Sequence, residues 1–206
     1  MESAEPGPRI SIRGVSKIFG RHPARAMEQL RQGCAKAEVQ ESTGVVVGVY
    51  DISLDILPGE IFVIMGLSGS SKSTLLRLIN RLQEPTAGSI LIDGEDITAM
   101  GARSLCALRR RKFGMVFQSF ALLPHRTVLG NVEFGLEIQG VAKAQRARQA
   151  LQVIETVGLS GYENKCVSEL SGGMRQRVGL ARALAADPEI LLMDEAFSAL
   201  DPLIRS

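Results

Sequence analysis

The sequence predicts an α/β fold in which a strand-and-helix core carries a largely helical region near its end. Three observations predict it. Short apolar runs with strand patterning alternate with stretches of helical period, the signature of a sheet covered by helices. The run at 61–65 leads through a small-residue turn directly into a helical pattern. A mostly helical stretch from about 119 to 184 then precedes a last apolar run, ILLM, that ends on Asp194 and Glu195.

The elements follow in order. Alternation at 9–13, RISIR, reads as an early strand, and Ile52, Leu54 and Ile56 as another, closed by a Pro58-Gly59 turn. Between them, residues 21–44 are polar and helix-prone, with Pro23 suited to a first turn and Gly33 to a stop, so they form a helical insertion. IFVIM at 61–65 reads as a strand, and Leu75, Leu76, Leu78, Ile79 and Leu82 mark the helix after it. SILIDGED is a strand running into an Asp93-Gly94 turn, and ARSLCALRRRK a helix leading to the strand FGMVF. Arg109, Arg110, Arg111 and Lys112 read as a solvated helix end, which favours positive charge.

Composition excludes several classes. With 206 residues, 45% hydrophobic and 22% charged, the chain can bury a full core and is most simply one domain. A net charge of +2 and 4% aromatics argue against a nucleic-acid partner. Cys34, Cys106 and Cys166 are odd in number and far apart, which suits a reduced compartment and no disulfide framework. Neither His22 nor His125 has a neighbouring Cys or His for a zinc site. No stretch approaches the about 20 apolar residues of a membrane span, and the start lacks a leader pattern.

Three short motifs carry chemistry. Residues 66–73, GLSGSSKS, match the phosphate-loop pattern G-x-x-x-x-G-K-[ST] at Gly66, Lys72 and Ser73, with Ser71 in place of the second glycine. Small residues let successive N–H groups of Gly66, Ser68, Gly69, Ser70, Ser71 and Thr74 converge on phosphate oxygens. Lys72 would reach the terminal phosphates and Ser73 would ligate Mg²⁺. The bland reading is a small-residue turn. At Asp194-Glu195 a strand delivers two carboxylates, Asp194 for Mg²⁺ through water and Glu195 for the attacking water, against the bland reading of an acidic helix start. Ser171, Gly172 and Gly173 open a further helix and form a second anion site, or simply a well-capped helix.

LSGGMRQR at 170–177 resembles the signature of ATP-binding cassette (ABC) ATPases, a highly specific string. MGLSGSSKST, VFQSF and LLMDEAFSALD resemble, in the right order, that family's Walker A, Q-loop, Walker B and D-loop. The resemblance spans essentially the whole chain and implies a P-loop fold of ABC type with a RecA-like core sheet, the helical subdomain at about 119–184 and ATP with Mg²⁺ as cofactors. It narrows further: the insertion after Phe19, with GEIFVIMGLSGS and MVFQSFALLPH, is similar to the ATPase subunit of importers for glycine betaine, proline and related quaternary amines. The resemblance assigns adenine stacking to Phe19. It gives Gln118 a catalytic place, sensing Mg²⁺ and the γ-phosphate, and places Ser198 and Asp201 in a loop that speaks across a dimer. It implies a head-to-tail second ATP-binding subunit, a transmembrane permease docked through 119–134, an indirect link to a substrate-binding protein, and a peripheral place on the cytoplasmic face of the inner membrane.

Two departures qualify the resemblance. Ser71 places a Cβ and hydroxyl where backbone must approach phosphate or take φ > 0, and is expected to impair binding. After ALDPLIRS the family continues with a strand leading to a switch histidine, further strands and paired regulatory (CBS) domains. Strands pair at about 4.8 Å, so omitting that strand is expected to leave a gap of about 10 Å beside the Walker A strand. The reading is therefore an ATP-hydrolysing importer subunit. The alternatives are a remnant that binds a partner without turnover and, with less support, a soluble ABC protein.

Overall fold

The computed structural model describes residues 7–67 and 69–194, so Ser68, Glu195, Ser198 and Asp201 lie outside the described residues. These fall into two compact units that divide after Gly101.

The first unit is an antiparallel sheet. Strand β1 (Ile10–Phe19) is followed by helices α1 (Pro23–Arg31) and α2 (Lys36–Thr43), β2 (Val46–Ile56), helix α3 (Lys72–Ile79), β3 (Ala87–Ile92) and the short β4 (Glu95–Asp96), with strand order β2-β1-β3-β4. Ile10 pairs with Ile56 on one side and Ile92 on the other, and Ile12 with Leu54 and Ile90, so Ile10, Ile12, Val15 and Ile18 of this inner strand are buried while Arg13 and Phe19 stay exposed. Each such isoleucine contributes about 1.5–3 kcal/mol by leaving water. Gly88 is required where β3 crosses β1: its φ is +87° and a Cβ there would stand 2.5 Å from the Gly14 carbonyl oxygen. The inserted segment after β1 holds two helices rather than one. Pro23 starts α1, Gly33 at φ +89° follows its end, and Ala26, Met27, Leu30 and Val39 pack on Ile18 and Val45 at the strand ends.

The second unit starts with α4 (Ala102–Lys112), which runs straight into β5 (Phe113–Val116). Helices α5 (Val128–Val132), α6 (Phe134–Ile138), α7 (Lys143–Thr156) and α8 (Gly172–Ala185) follow, and then β6 (Ile190–Met193). β5 and β6 form a parallel pair from Phe113↔Ile190 to Val116↔Met193. Val128, Val132, Leu136, Ala150, Ile154, Leu159, Leu170, Val178 and Ala181 make the core between the helices. Lys112, last of the basic run, pairs with Glu189 at 3.2 Å.

Two expectations need correction. The apolar run 61–65 forms no strand: Ile61 is 91% and Met65 86% exposed, and no described strand pairs with it. A strand is defined by its ladder, and β-propensity without a partner does not make one. In the segment 119–134, which the resemblance gives to the permease, several apolar residues turn inward instead of outward. Val128 and Val132 are fully buried and Leu122 packs on the same cluster, so Gln118, Ser119, Ala121, Pro124 and His125 are what that stretch exposes.

Candidate functional site

In the first unit, Lys72 at the start of α3 folds back on the described residues of the loop before it. Lys72 donates from Nζ to the carbonyl oxygens of Gly66 and Leu67, each at 2.9 Å, and reaches Ser70 Oγ at 3.5 Å. The Ser70 N–H donates to the Leu67 carbonyl at 3.1 Å, and Gly69 takes φ +81°. A Cβ on Gly66 would stand 2.6 Å from Ser70 Oγ, so a side chain there would displace that hydroxyl. Ser71 is the N-cap of α3 at φ 64°, ψ 24°, and its hydroxyl does not cap. The residue in the glycine position thus holds the left-handed conformation that glycine adopts freely, which costs an L-residue about 1–2 kcal/mol. Ser73 and Thr74 lie in the first turn of α3, the end of a helix that favours an anion.

Phe19 ends β1 opposite Val46 and is 36% exposed. Its ring lies on Gly48, where a Cβ would come within 2.8 Å, and the Lys17 ammonium stands 5.2 Å from its centroid. Gly48 therefore makes room for the ring, a function that its place in a strand does not announce.

In the second unit the parallel pair aligns the next two candidates. Val116 faces Met193 across the ladder, so Gln118, two residues past the end of β5, and Asp194, one past β6, emerge at the same end of the pair. The Asp194 N–H donates to the Val116 carbonyl at 3.0 Å and the residue is 1% exposed, whereas Gln118 is exposed. The pair so presents an amide and a carboxylate, hard oxygen donors of the type Mg²⁺ accepts.

Ser171 caps α8, its Oγ accepting from the Met174 N–H at 3.3 Å. Gly172 and Gly173 occupy the first turn, and among the described residues a Cβ on either would meet nothing within 4 Å. Glycine in a helix costs about 1 kcal/mol against alanine, so packing inside the chain does not explain the pair.

Two residues unnoticed in the sequence organise the stretch after Gln118. Asn131, fully buried, accepts from the Leu123 N–H at 2.8 Å and donates to the carbonyls of Leu123 (3.1 Å), Arg126 (3.2 Å) and Thr127 (2.9 Å). Arg182 of α8 donates to the carbonyls of Ala121 (2.6 Å) and Phe120 (2.9 Å), and burial lowers its pKa from the ordinary value. The only signal available was a polar residue set among apolar ones, in TVLGNV and in LARAL. Among the described residues no helix is long and apolar enough to cross a membrane, and no three His, Cys, Asp or Glu gather as metal ligands.

Comparison with known proteins identifies the family. A family described as ABC transporter matches residues 49–198. The chain is 58% identical over 197 residues to the glycine betaine transport ATP-binding protein OpuAA of Bacillus subtilis (strain 168), covering 96% of this chain and 47% of the relative. It is 58% identical over 198 residues to the glycine betaine/proline betaine transport system ATP-binding protein ProV of Escherichia coli (strain K12), covering 96% and 50%. The chain thus spans about half the length of the curated relatives it matches. Among solved structures, a dimeric post-hydrolysis state of the ATP-binding cassette MJ0796 bound to ADP and Pi superposes with a TM-score of 0.80 at 32% identity, covering 94% of this chain and 77% of that one.

Proposed function

The chain belongs to the ABC transporter family, and from that premise we propose that it is the ATP-binding and ATP-hydrolysing part of an importer for glycine betaine, proline or a related quaternary amine. The observation that carries the proposal is the parallel β5–β6 pair, which brings Gln118 and Asp194 to one end of two strands from distant parts of the sequence. Strand ends of this kind are where open α/β sheets bind ligands.

In the first unit, Lys72 and the N–H groups of 66–74 hold phosphates, Ser73 offers an oxygen to Mg²⁺, and Phe19 receives the adenine. In the second, Gln118 and Asp194 offer oxygen ligands to Mg²⁺, which supplies charge neutralisation when bound. Glu195 orients the attacking water and takes its proton. Ser171, Gly172 and Gly173 receive the nucleotide of a second subunit paired head to tail. A permease docks on the exposed residues between Gln118 and His125, which places the chain peripherally at the cytoplasmic face of the inner membrane. The importer's substrate-binding protein acts through that permease.

The test is titration of the purified chain with a fluorescent ATP analogue, with and without Mg²⁺. Affinity is expected to rise with Mg²⁺ and Asp194→Asn to remove most of that rise. An analogue that does not bind at all defeats the proposal. One observation favours binding without turnover: Ser71 holds φ 64° and Lys72 is engaged by its own loop. Glu195→Gln separates the two readings, since it abolishes turnover only where turnover exists.

A further inference from the structure

We propose that Arg182 is a positioning residue that ties the loop leaving Gln118 to the helix carrying Ser171–Gly173, so that a change at one is felt at the other. The inference rests on the function proposed above for those two places, neither of which includes Arg182. One planar guanidinium bridges two successive carbonyls, Nη1 to Ala121 at 2.6 Å and Nη2 to Phe120 at 2.9 Å. Both residues it holds are in the left-handed region, Phe120 at φ 62° and Ala121 at φ 46°. Two consecutive L-residues there are unfavourable in isolation and persist only where the surroundings over-determine them. Arg182 supplies that determination: its planar fork reaches the two carbonyls from separate nitrogens held in one plane, a geometry that the single nitrogen of a lysine does not reproduce.

The attachment is built into the helix. Gly179, less than one turn before Arg182, lies against the same loop, with a Cβ position 3.7 Å from the Phe120 carbonyl oxygen. On the other side of the loop, Asn131 fastens Leu123 to Thr127. The stretch 120–127 is therefore held from several elements: by Arg182 on α8, by Asn131 on α5, by Glu137 on α6 through Arg126 at 2.6 Å, and by a bridge from Thr127 to Cys166. Of these, only Arg182 belongs to the helix that Ser171 caps.

Amide hydrogen exchange tests the proposal on the whole chain. The Phe120 N–H donates to the Phe117 carbonyl at 2.9 Å and the Ala121 N–H to Ser119 at 2.7 Å, so both amides report on the turn. Arg182→Lys keeps the charge and stem, loses the fork, and is expected to speed exchange in 117–123 by about tenfold while α7 stays unchanged. Adding Ala121→Gly, which adopts positive φ freely, is expected to recover most of that protection, a rescue that general unfolding would not show. With Mg²⁺ and ATP the parent is expected to change exchange in 117–123 and 171–176 together, and Arg182→Lys in 117–123 alone. Exchange in 117–123 within twofold of the parent, or equal changes in 171–176, overturns the proposal. Absence of any nucleotide effect at 69–75 in the parent defeats the proposed function instead, and Arg182 is then judged by basal exchange.

Discussion

The Lys72 ammonium lies 2.9 Å from the carbonyl oxygen of Gly66, the residue that opens its own loop. With the Leu67 carbonyl as a second acceptor, the charge expected to meet phosphate is already satisfied by the backbone. An entering anion must exchange those two hydrogen bonds for its own, and only the difference appears as affinity.

Ser71→Gly separates two effects that the sequence leaves merged. Since Ser71 already holds φ 64° without nucleotide, relief of that conformation belongs to folding and is expected to raise stability by up to about 1 kcal/mol. Affinity changes only through removal of the hydroxymethyl group, with an expected gain of about tenfold, or about 1.4 kcal/mol. Thermal unfolding and titration with a fluorescent ATP analogue read the two separately. Equal affinities would mean that the side chain is tolerated beside phosphate.

Gly173→Ala should divide stability from assembly. Among the described residues nothing stands within 4 Å of the added methyl group, so unfolding should shift upward by as much as about 1 kcal/mol. Nucleotide-dependent pairing of two chains, followed by light scattering, should be lost. Retained pairing would return these glycines to the role of an ordinary helix start.

Asn131→Leu is expected to destabilise by about 2–4 kcal/mol. It removes four hydrogen bonds at a fully buried position and leaves the Leu123 N–H and three carbonyls without that partner. Urea unfolding measures it. A shift under about 0.5 kcal/mol would show that the 123–127 turn holds by itself.

Acid should weaken the fold through exposed carboxylates. Asp55 is held below its ordinary 3.8 by hydrogen bonds from Ser11 and Arg13, and Glu137 below 4.5 by its hydrogen bond from Arg126. Glu169 is lowered by the Cys166 N–H and Lys165. A carboxyl lowered on folding contributes stability above its unfolded pKa and loses it as pH falls through the folded one. Melting temperature should therefore decline below about pH 4.5, and Arg126→Gln should make that decline shallower by removing one contributor. Each exposed pair is worth little, so an unchanged slope would show that Glu137 gains nothing from Arg126.

Association should follow from 61–67. The run IFVIMGL is uncharged and rich in β-formers, and Ile61, Val63, Met65 and Leu67 are 91%, 67%, 86% and 86% exposed. Such a segment pairs with others of its kind. Val63→Lys should shift a concentrated sample toward monomer by light scattering, and identical scattering would place the contact elsewhere.

Local structure was legible where it depends on neighbours in sequence. Leu75, Leu78 and Ile79 share one buried face of α3, and Pro23 and Gly33 frame α1, all visible as spacing. Ser171 as a cap was equally plain. The missing strand at 61–65 was not, because its apolar residues satisfy the pattern while the pairing partner must come from far away. Arg182 and Asn131 were illegible for a related reason: each acts on carbonyl groups, and backbone acceptors leave no trace in residue identity. The conformation of Ser71 was posed by the motif but decided only by the fold around it.

The hairpin of β1 and β2 closes its ladder at Phe19↔Val46, and everything between them is held by a small cluster of its own around Met27, Leu30 and Val39. That makes the segment a natural port for engineering. A reporter domain could enter at the exposed turn near Gly33, between the two helices, without disturbing strand register, Ser71 or the ring of Phe19. The same closure makes the port informative, because the last rung of the ladder is the aromatic residue assigned to the base.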